Sequence, residues 1–249
     1  MTSPQILAEE FEKIYEKDLE IISSYCKIIC PLCSFEQINK NKIIVQGMFG
    51  SNILRIKCEK CETIFGPLSF LDLNNNEITR LYNIVYSFYR EGGDRRQHQF
   101  EVFNKLNPEK SKTYLNYACG IEFSKDIDLF AENGYDVFGY DIVIPDDQVN
   151  NRIFNKNNFP TNLDGIFSID FIEHITNPLQ QFSEWNEILK IGGVMLHDGL
   201  YDSFIYNGSY FHCLYCSKNG LEEICRKTGF ELYSYGSYVS TFMKIKNLD

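Results

Sequence analysis

The sequence predicts an α/β protein whose sheet is mostly parallel, preceded by a small cysteine-rich unit. From residue 113 onward, β-prone runs alternate with helical stretches of about ten to twelve residues, the pattern of strand–helix–strand crossovers. Upstream, two Cys-x-x-Cys pairs lie 24 residues apart. The 249-residue chain is 44% hydrophobic and 15% aromatic, enough to bury a sizeable core and against disorder. The expected division is residues 1–75 for an N-terminal helix and ribbon, 76–110 for a helical linker and 111–249 for the α/β domain.

Ser3-Pro4 offers a helix cap with Pro at the first helical position, and Ile6, Leu7, Phe11, Ile14, Tyr15, Leu19 and Ile22 fall on one stripe. Residues 3–25 therefore form an amphipathic helix that packs the small unit. Ile43-Ile44-Val45 and Ile53-Leu54-Arg55-Ile56, with Gly47 and Gly50 between them, form a hairpin. Helical spacing returns through Ile78, Leu81, Tyr82, Val85, Phe88 and Tyr89, breaks at Gly92-Gly93, and resumes through Phe100, Val102, Phe103 and Leu106. Strands follow at 113–117, 136–140, 165–169 and 194–197, with a short segment around 152–154 and helices at 124–133 and 178–189. A helix at 218–228, stopped by Gly229, leads to an antiparallel edge formed by 230–235 and 238–245.

The net charge of −10 works against attraction to nucleic-acid phosphates or anionic lipid and favours a small or neutral substrate. Lys40, Lys42, Lys57 and Lys60 in the small unit are the residues that would grip a nucleic acid, against the sign of the total charge. No apolar run approaches the ~18 residues of a spanning helix, and the N-terminus is acidic where a signal peptide is basic and then apolar. A cytoplasmic protein with reduced thiols is expected, and nine cysteines is an odd number for a disulfide framework.

Cys30-Pro-Leu-Cys33 and Cys58-Glu-Lys-Cys61 flank the hairpin. A tetrahedral Zn²⁺ needs four soft donors, and two residues between paired cysteines let a tight turn aim both sulfurs at one ion. With every position filled by sulfur, the site is structural. Cys26 is a spare thiol, and Cys213-Leu-Tyr-Cys216 is a third Cys-x-x-Cys without a matching pair, read as coincidence or packing.

The segment Tyr114-Leu-Asn-Tyr-Ala-Cys-Gly-Ile-Glu122 leaves a strand and enters a helix, where open α/β sheets make their ligand crevice. Its one glycine is Gly120. Nineteen residues beyond Glu122, the next strand ends in Asp141, placed to accept hydrogen bonds from ribose hydroxyls. Further on come Phe167-Ser-Ile-Asp-Phe-Ile-Glu-His-Ile-Thr-Asn-Pro178 and Trp185-Asn-Glu-Ile-Leu-Lys-Ile-Gly-Gly-Val194.

Taken together, these four landmarks resemble class I S-adenosylmethionine-dependent methyltransferases over about residues 113–245. The resemblance implies a Rossmann-like sheet with helices on both faces and S-adenosylmethionine as cofactor. Asn116 stands where the family has Asp, Ala118 where it has its first Gly, and Glu122 where it has its last. Ala118, Cys119 and Gly120 would approach the cofactor through the backbone, and Glu122, at a helix start, would meet its amino group. Asp141 would bind the ribose diol, Ile142 line the adenine, and Asp170 and Phe171 face the methionine portion. The ribbon, Thr63-Ile-Phe-Gly-Pro67 and the Leu81-Tyr82…Tyr86…Tyr89 helix look like the ribbon-bearing subgroup, many of which modify sugars. The acceptor it implies is a sugar or nucleotide-sugar hydroxyl, such as a heptose or hexose, in capsule or surface-polysaccharide synthesis. A phosphate-derived or other small metabolite, and a non-catalytic scaffold, are the alternatives.

Methyl transfer to a hydroxyl needs an acceptor for its proton, and imidazole suits neutral pH. His174, after Glu173, reads as capping or packing, or as part of an Asp170/Glu173/His174 set for Mg²⁺. In His197-Asp198, at a strand end, the histidine reads equally as a plain hydrogen-bonded one or a catalytic one. His212 lies in a run similar to the segment that carries a catalytic histidine in zinc-bearing sugar methyltransferases. It is a general base or a substrate-orienting residue. The loop 199–210, with Tyr201, Asp202, Tyr206, Asn207 and Tyr210, has a sugar-packing mix or is a plain surface loop.

Overall fold

Short strands held by turns and aromatic packing, rather than long ladders, build the first part of the molecule. The computed structural model describes residues 3–24, 27–38, 41–89, 95–121, 123–155, 158–201 and 206–248. Contacts divide the chain into unit 1 (Met1–Glu91, Glu173–Leu179, Leu200–Ile224) and unit 2 (Gly92–Ile172, Gln180–Gly199, Cys225–Asp249).

In unit 1, α1 (Ser3–Ser23) buries Leu7 and Phe11, as its stripe predicts. It also buries Asp18, whose carboxylate accepts the N–H groups of Leu68 and Ser69 at 2.8 and 2.7 Å, at the start of a one-turn helix, α2 (Leu68–Leu71). Burial pushes the Asp18 carboxyl up, and those hydrogen bonds pull it part of the way back. A capping box between Asn74 and Glu77 starts α3 (Asn75–Tyr86). Two-residue strands β1 (Ile28–Ile29) and β2 (Glu36–Gln37) pair with each other. The hairpin of β3 (Asn41–Gln46) and β4 (Asn52–Lys57) forms as expected, in register from Asn41 opposite Lys57 to Gln46 opposite Asn52. Its turn uses Gly50 at φ +101°, a conformation that favours glycine.

Beside β4 lies β5 (Ile64–Phe65), and beside that β11 (Leu214–Tyr215), completing an antiparallel sheet of order β11-β5-β4-β3. The return of the chain at 214–215 groups residues 200–224 with the N-terminal part, although they follow the expected start of the α/β domain at 111. Residues 76–91 group there too. Tyr210 stacks on Phe11 with ring centroids 3.9 Å apart and donates its hydroxyl to Ser51 O.

Unit 2 carries α4 (Arg95–Asn104) and then β6 (Thr113–Tyr117), α5 (Phe123–Glu132), β7 (Asp136–Tyr140), β8 (Ile153–Phe154), β9 (Leu163–Ile169), α6 (Pro178–Ile188) and β10 (Leu189–Asp198). After α7 (Lys218–Thr228), β12 (Phe230–Tyr235) and β13 (Val239–Lys244) close the sheet. Its order is β12-β13-β10-β9-β6-β7-β8, parallel from β10 through β8 and antiparallel at the β13 and β12 edge. This is the α/β architecture the alternating pattern predicts. The core joins Val102 and Phe103 of α4, Phe130 of α5 and Tyr114, Val137, Phe167 and Leu196 of the strands. One boundary shifts: β10 begins at Leu189 rather than 194, because its register slips between Leu189 and Val194 and Gly192, at φ +81°, lets the strand bulge. Among the described residues no helix is long and apolar enough to cross a membrane.

Candidate functional site

The cysteine cluster of unit 1 is built from two matching turns. Between β1 and β2, Cys30 N–H donates to Phe35 O and Ser34 N–H to Cys30 O, with Ser34 at φ +61°. Between β4 and β5, Cys58 N–H donates to Thr63 O and Glu62 N–H to Cys58 O, with Glu62 at φ +67°. The sulfurs of Cys30 and Cys61 lie 3.6 Å apart and those of Cys33 and Cys58 3.5 Å, all four buried. A tetrahedral ion with Zn–S bonds of about 2.3 Å spaces its sulfurs about 3.8 Å apart, so the four thiols fit Zn²⁺. Contact with Cys61 pushes the Cys30 thiol up and draws Cys61 itself down to about 5; burial pushes Cys33 up to about 11. Gln37, unmarked by sequence reasoning, ties the turns together: its side chain donates to Lys57 O at 3.1 Å and accepts Glu59 N–H at 3.0 Å.

In unit 2 the expected cofactor residues gather at the C-terminal ends of parallel strands. After β6 the backbone turns through Ala118 at φ +58° and Gly120 at φ +75°. The alanine holds a conformation costing about 1 kcal/mol or more for a residue with a Cβ. Gly120 N–H donates to Asp141 Oδ2 at 2.8 Å and Val143 N–H to Oδ1 at 3.0 Å, while Cys119 N–H donates to Tyr140 O. A carboxylate held in this orientation at the end of β7 presents two acceptor oxygens in one plane. That arrangement fits a ribose diol. Ile142 is exposed beside it.

Asn116 is placed otherwise than expected. It is buried and donates to Gln99 Oε1 at 3.0 Å, and Gln99 Nε2 donates to Cys119 O at 3.3 Å, so Asn116 braces the turn through α4 rather than facing a ligand. Gln99 was missed by the sequence reading; a glutamine set among Phe100, Val102 and Phe103 was the available signal. Cys119 is buried, and burial raises its thiol well above the usual range. Asp170 is exposed at φ +49°, its N–H on Asp198 O at 2.8 Å, and the Phe171 ring lies 5.2 Å from that of Tyr117. Glu122 lies outside the described residues.

The histidines separate sharply. His197 is fully buried, with Nδ1 2.7 Å from Ser168 Oγ and its ring stacked 4.4 Å from Trp185. It packs in the core of a central strand as a hydrogen-bonded histidine, one of the two readings the sequence left open. Burial holds its pKa down to about 3. Asp198 accepts Lys105 Nζ at 3.3 Å and lies 3.7 Å from His98 Nε2.

In unit 1, by contrast, His212 and His174 meet edge to face with centroids 4.7 Å apart. Tyr82 Oη lies 2.7 Å from His174 Nδ1. Burial lowers His174 well below the usual range and His212 to about 4, the Arg55 charge adding to the latter. Of the loop tyrosines expected at a sugar, Tyr201 and Tyr210 are buried and Tyr206 is exposed; Asp202 lies outside the described residues.

Three neutral imidazoles, His197 buried and His174 and His212 partly so, make stability fall in acid. Their folded pKa values lie below the unfolded 6.5, so between about pH 6.5 and 4 the unfolded chain binds protons the folded one refuses. Stability is complete above pH 6.5 and lost below it, by up to about 4 kcal/mol per pH unit for three groups. The raised Asp18 carboxyl opposes this in part. Urea midpoints at pH 7.5 and 5 should differ accordingly; a flat profile would show that these imidazoles are already charged when folded.

No family model matches the sequence, and no curated protein matches it. Among solved structures, the chain is similar to the Burkholderia thailandensis 1,6-didemethyltoxoflavin-N1-methyltransferase, determined with 1,6-didemethyltoxoflavin and S-adenosylhomocysteine bound. Identity is 14% and the TM-score 0.50, over 78% of this chain and 96% of that one. A second similar structure is a methyltransferase from Archaeoglobus fulgidus dependent on S-adenosylmethionine, at 14% identity and a TM-score of 0.46, over 62% of this chain and 95% of that one. The shared property is the fold: the mostly parallel seven-stranded sheet is that of Rossmann-like methyltransferases.

Proposed function

We propose that this chain is an S-adenosylmethionine-dependent methyltransferase with a structural zinc ribbon, and that its acceptor is a hydroxyl of a sugar or nucleotide-linked sugar. The observation that carries the donor reading is the turn at Ala118–Gly120, latched by its own N–H to the carboxylate of Asp141. Asp141 would hold the ribose diol, Ile142 the adenine, and Ala118, Cys119, Gly120, Asp170 and Phe171 the methionine portion, with Asn116 and Gln99 bracing the turn. When bound, the cofactor supplies an electrophilic methyl group on a sulfonium.

The sugar acceptor rests on the resemblance of the ribbon and of the His212 segment in the sequence. His212 is the proton acceptor in this reading, a neutral imidazole at physiological pH. His212→Ala should lower kcat by about 10²–10⁴ with donor binding unchanged. Turnover within a few-fold of the parent would remove it from the mechanism.

The alternative is a non-catalytic scaffold, in which the Asp141 carboxylate only closes its own loop through the backbone N–H groups of Gly120 and Val143. Isothermal titration with S-adenosylhomocysteine separates the two. Micromolar binding, weakened about tenfold or more by Asp141→Ala, is expected from loss of hydrogen bonds to a charged group. No binding at millimolar ligand favours the scaffold.

A further inference from the structure

We propose that Glu173, His174 and His212 form a divalent-cation site in unit 1, distinct from the cysteine cluster, which takes a borderline ion of the Zn²⁺ class through two imidazole nitrogens and one carboxylate oxygen. One donor atom from each residue lies within 4.8 Å of the other two. Donors on a common Zn²⁺ at about 2.1 Å lie about 3.4 Å apart, so ligation asks the side chains to move inward by about 1.4 Å at most. The backbone already brings the two segments together. Cys213 N–H, next to His212, donates to Glu173 O at 2.8 Å.

The surroundings are those a metal site uses. Tyr82 Oη occupies His174 Nδ1 at 2.7 Å, which fixes the ring and leaves Nε2 for the ion. Leu200 N–H donates to Glu173 Oε1 at 3.2 Å, orienting a carboxylate that is fully buried. His212 Nδ1 is buried with no hydrogen-bond partner, an uncompensated polar atom that a cation would satisfy. Two nitrogens and one oxygen suit Zn²⁺, Co²⁺ or Ni²⁺ better than Mg²⁺, and three protein ligands leave a coordination position open. Asp170, which sequence spacing grouped with Glu173 and His174, is not part of the cluster. The Arg55 guanidinium, whose Nη2 donates to His212 O at 3.5 Å, opposes a cation and makes this site weaker than the four-sulfur one.

An imidazole that holds a cation cannot accept a proton, so occupancy would stop turnover. That consequence rests on the His212 role proposed above; the cation site itself does not.

The test uses the full-length protein carrying one equivalent of Zn²⁺ on its cysteines. Added Co²⁺ should bind as a second equivalent with visible d–d absorption, no near-ultraviolet thiolate band, and paramagnetic shifts on the imidazoles of His174 and His212. His212→Ala and, separately, His174→Gln should each weaken this second equivalent by about tenfold or more while keeping the first. No second equivalent at millimolar Co²⁺, its retention in both variants, or shifts confined to His98 or His197 would overturn the proposal. The imidazole shifts of the parent protein decide the matter even if a variant fails to fold. Titration of the same samples with S-adenosylhomocysteine reports on the donor reading independently.

Discussion

Cys58→Ser is expected to lower the thermal midpoint by about 8–16 °C and to release one equivalent of bound zinc. The reason lies in how little else holds the ribbon. The strands β1, β2, β5 and β11 have two residues each, well under the length at which a ladder stabilises itself. The two cysteine turns sit at the joins of these strands, and Gln37 provides their side-chain link across the cluster. A metal that binds only the folded state adds about 4 kcal/mol when its free concentration is a thousand times its dissociation constant. For a chain of this size, each kcal/mol moves the midpoint by about 2–4 °C. Replacing one sulfur leaves three donors and forfeits most of that contribution. The measurement is metal content by atomic absorption beside a melting curve. A metal-free parent with an unchanged midpoint in the variant would show the cluster to be a dry packing of thiols.

The α/β order was legible because hydrophobic period and turn residues agree along residues 113–245: the central β6 and β9 bury nearly continuous runs, and β7 and the edge strand β13 alternate. The sequence reading of Cys30, Cys33, Cys58 and Cys61 as a group depended on spacing alone, and their sulfurs do converge. Local pattern carries no information about partners distant in the chain, and there the reading ran out. His197 sits at a strand end where ligand sites collect, yet its neighbours Ser168 and Trp185 come from β9 and α6 and enclose it. Asn116 stands at a family position, and its side chain is taken up by Gln99, 17 positions upstream. His174 and His212 meet only because residues 173–179 and 200–224 both return to unit 1, a path invisible to periodicity.

Arg55→Met should cost about 3 kcal/mol and loosen the segment that carries His212. In β4 four consecutive residues, Ile53 to Ile56, are buried, so the alternation that would turn Arg55 to solvent fails there. The guanidinium is fully buried, and its Nη2 fans onto the carbonyls of Asn207, Ser209 and His212 at 2.7, 3.3 and 3.5 Å. Its plane carbon lies 4.5 Å from the centre of the Tyr215 ring, a cation–π contact that adds to the hold. Burial lowers the Arg55 pKa, the sign of a charge kept dry by its hydrogen bonds. Methionine fills much of the volume but leaves those carbonyls without a donor, at about 1–3 kcal/mol for each one that water cannot reach. Lysine has the charge without the planar fork, so Arg55→Lys should recover only part of the loss. Urea midpoints of the two variants give the energies, and limited proteolysis between residues 200 and 212 reports the loosening. If Arg55→Met changed stability by less than about 0.5 kcal/mol, as an ordinary surface substitution does, the carbonyls of 207–212 would be hydrated without it. The position of His212 would then depend on the Cys213–Glu173 backbone bond and the His174 ring contact.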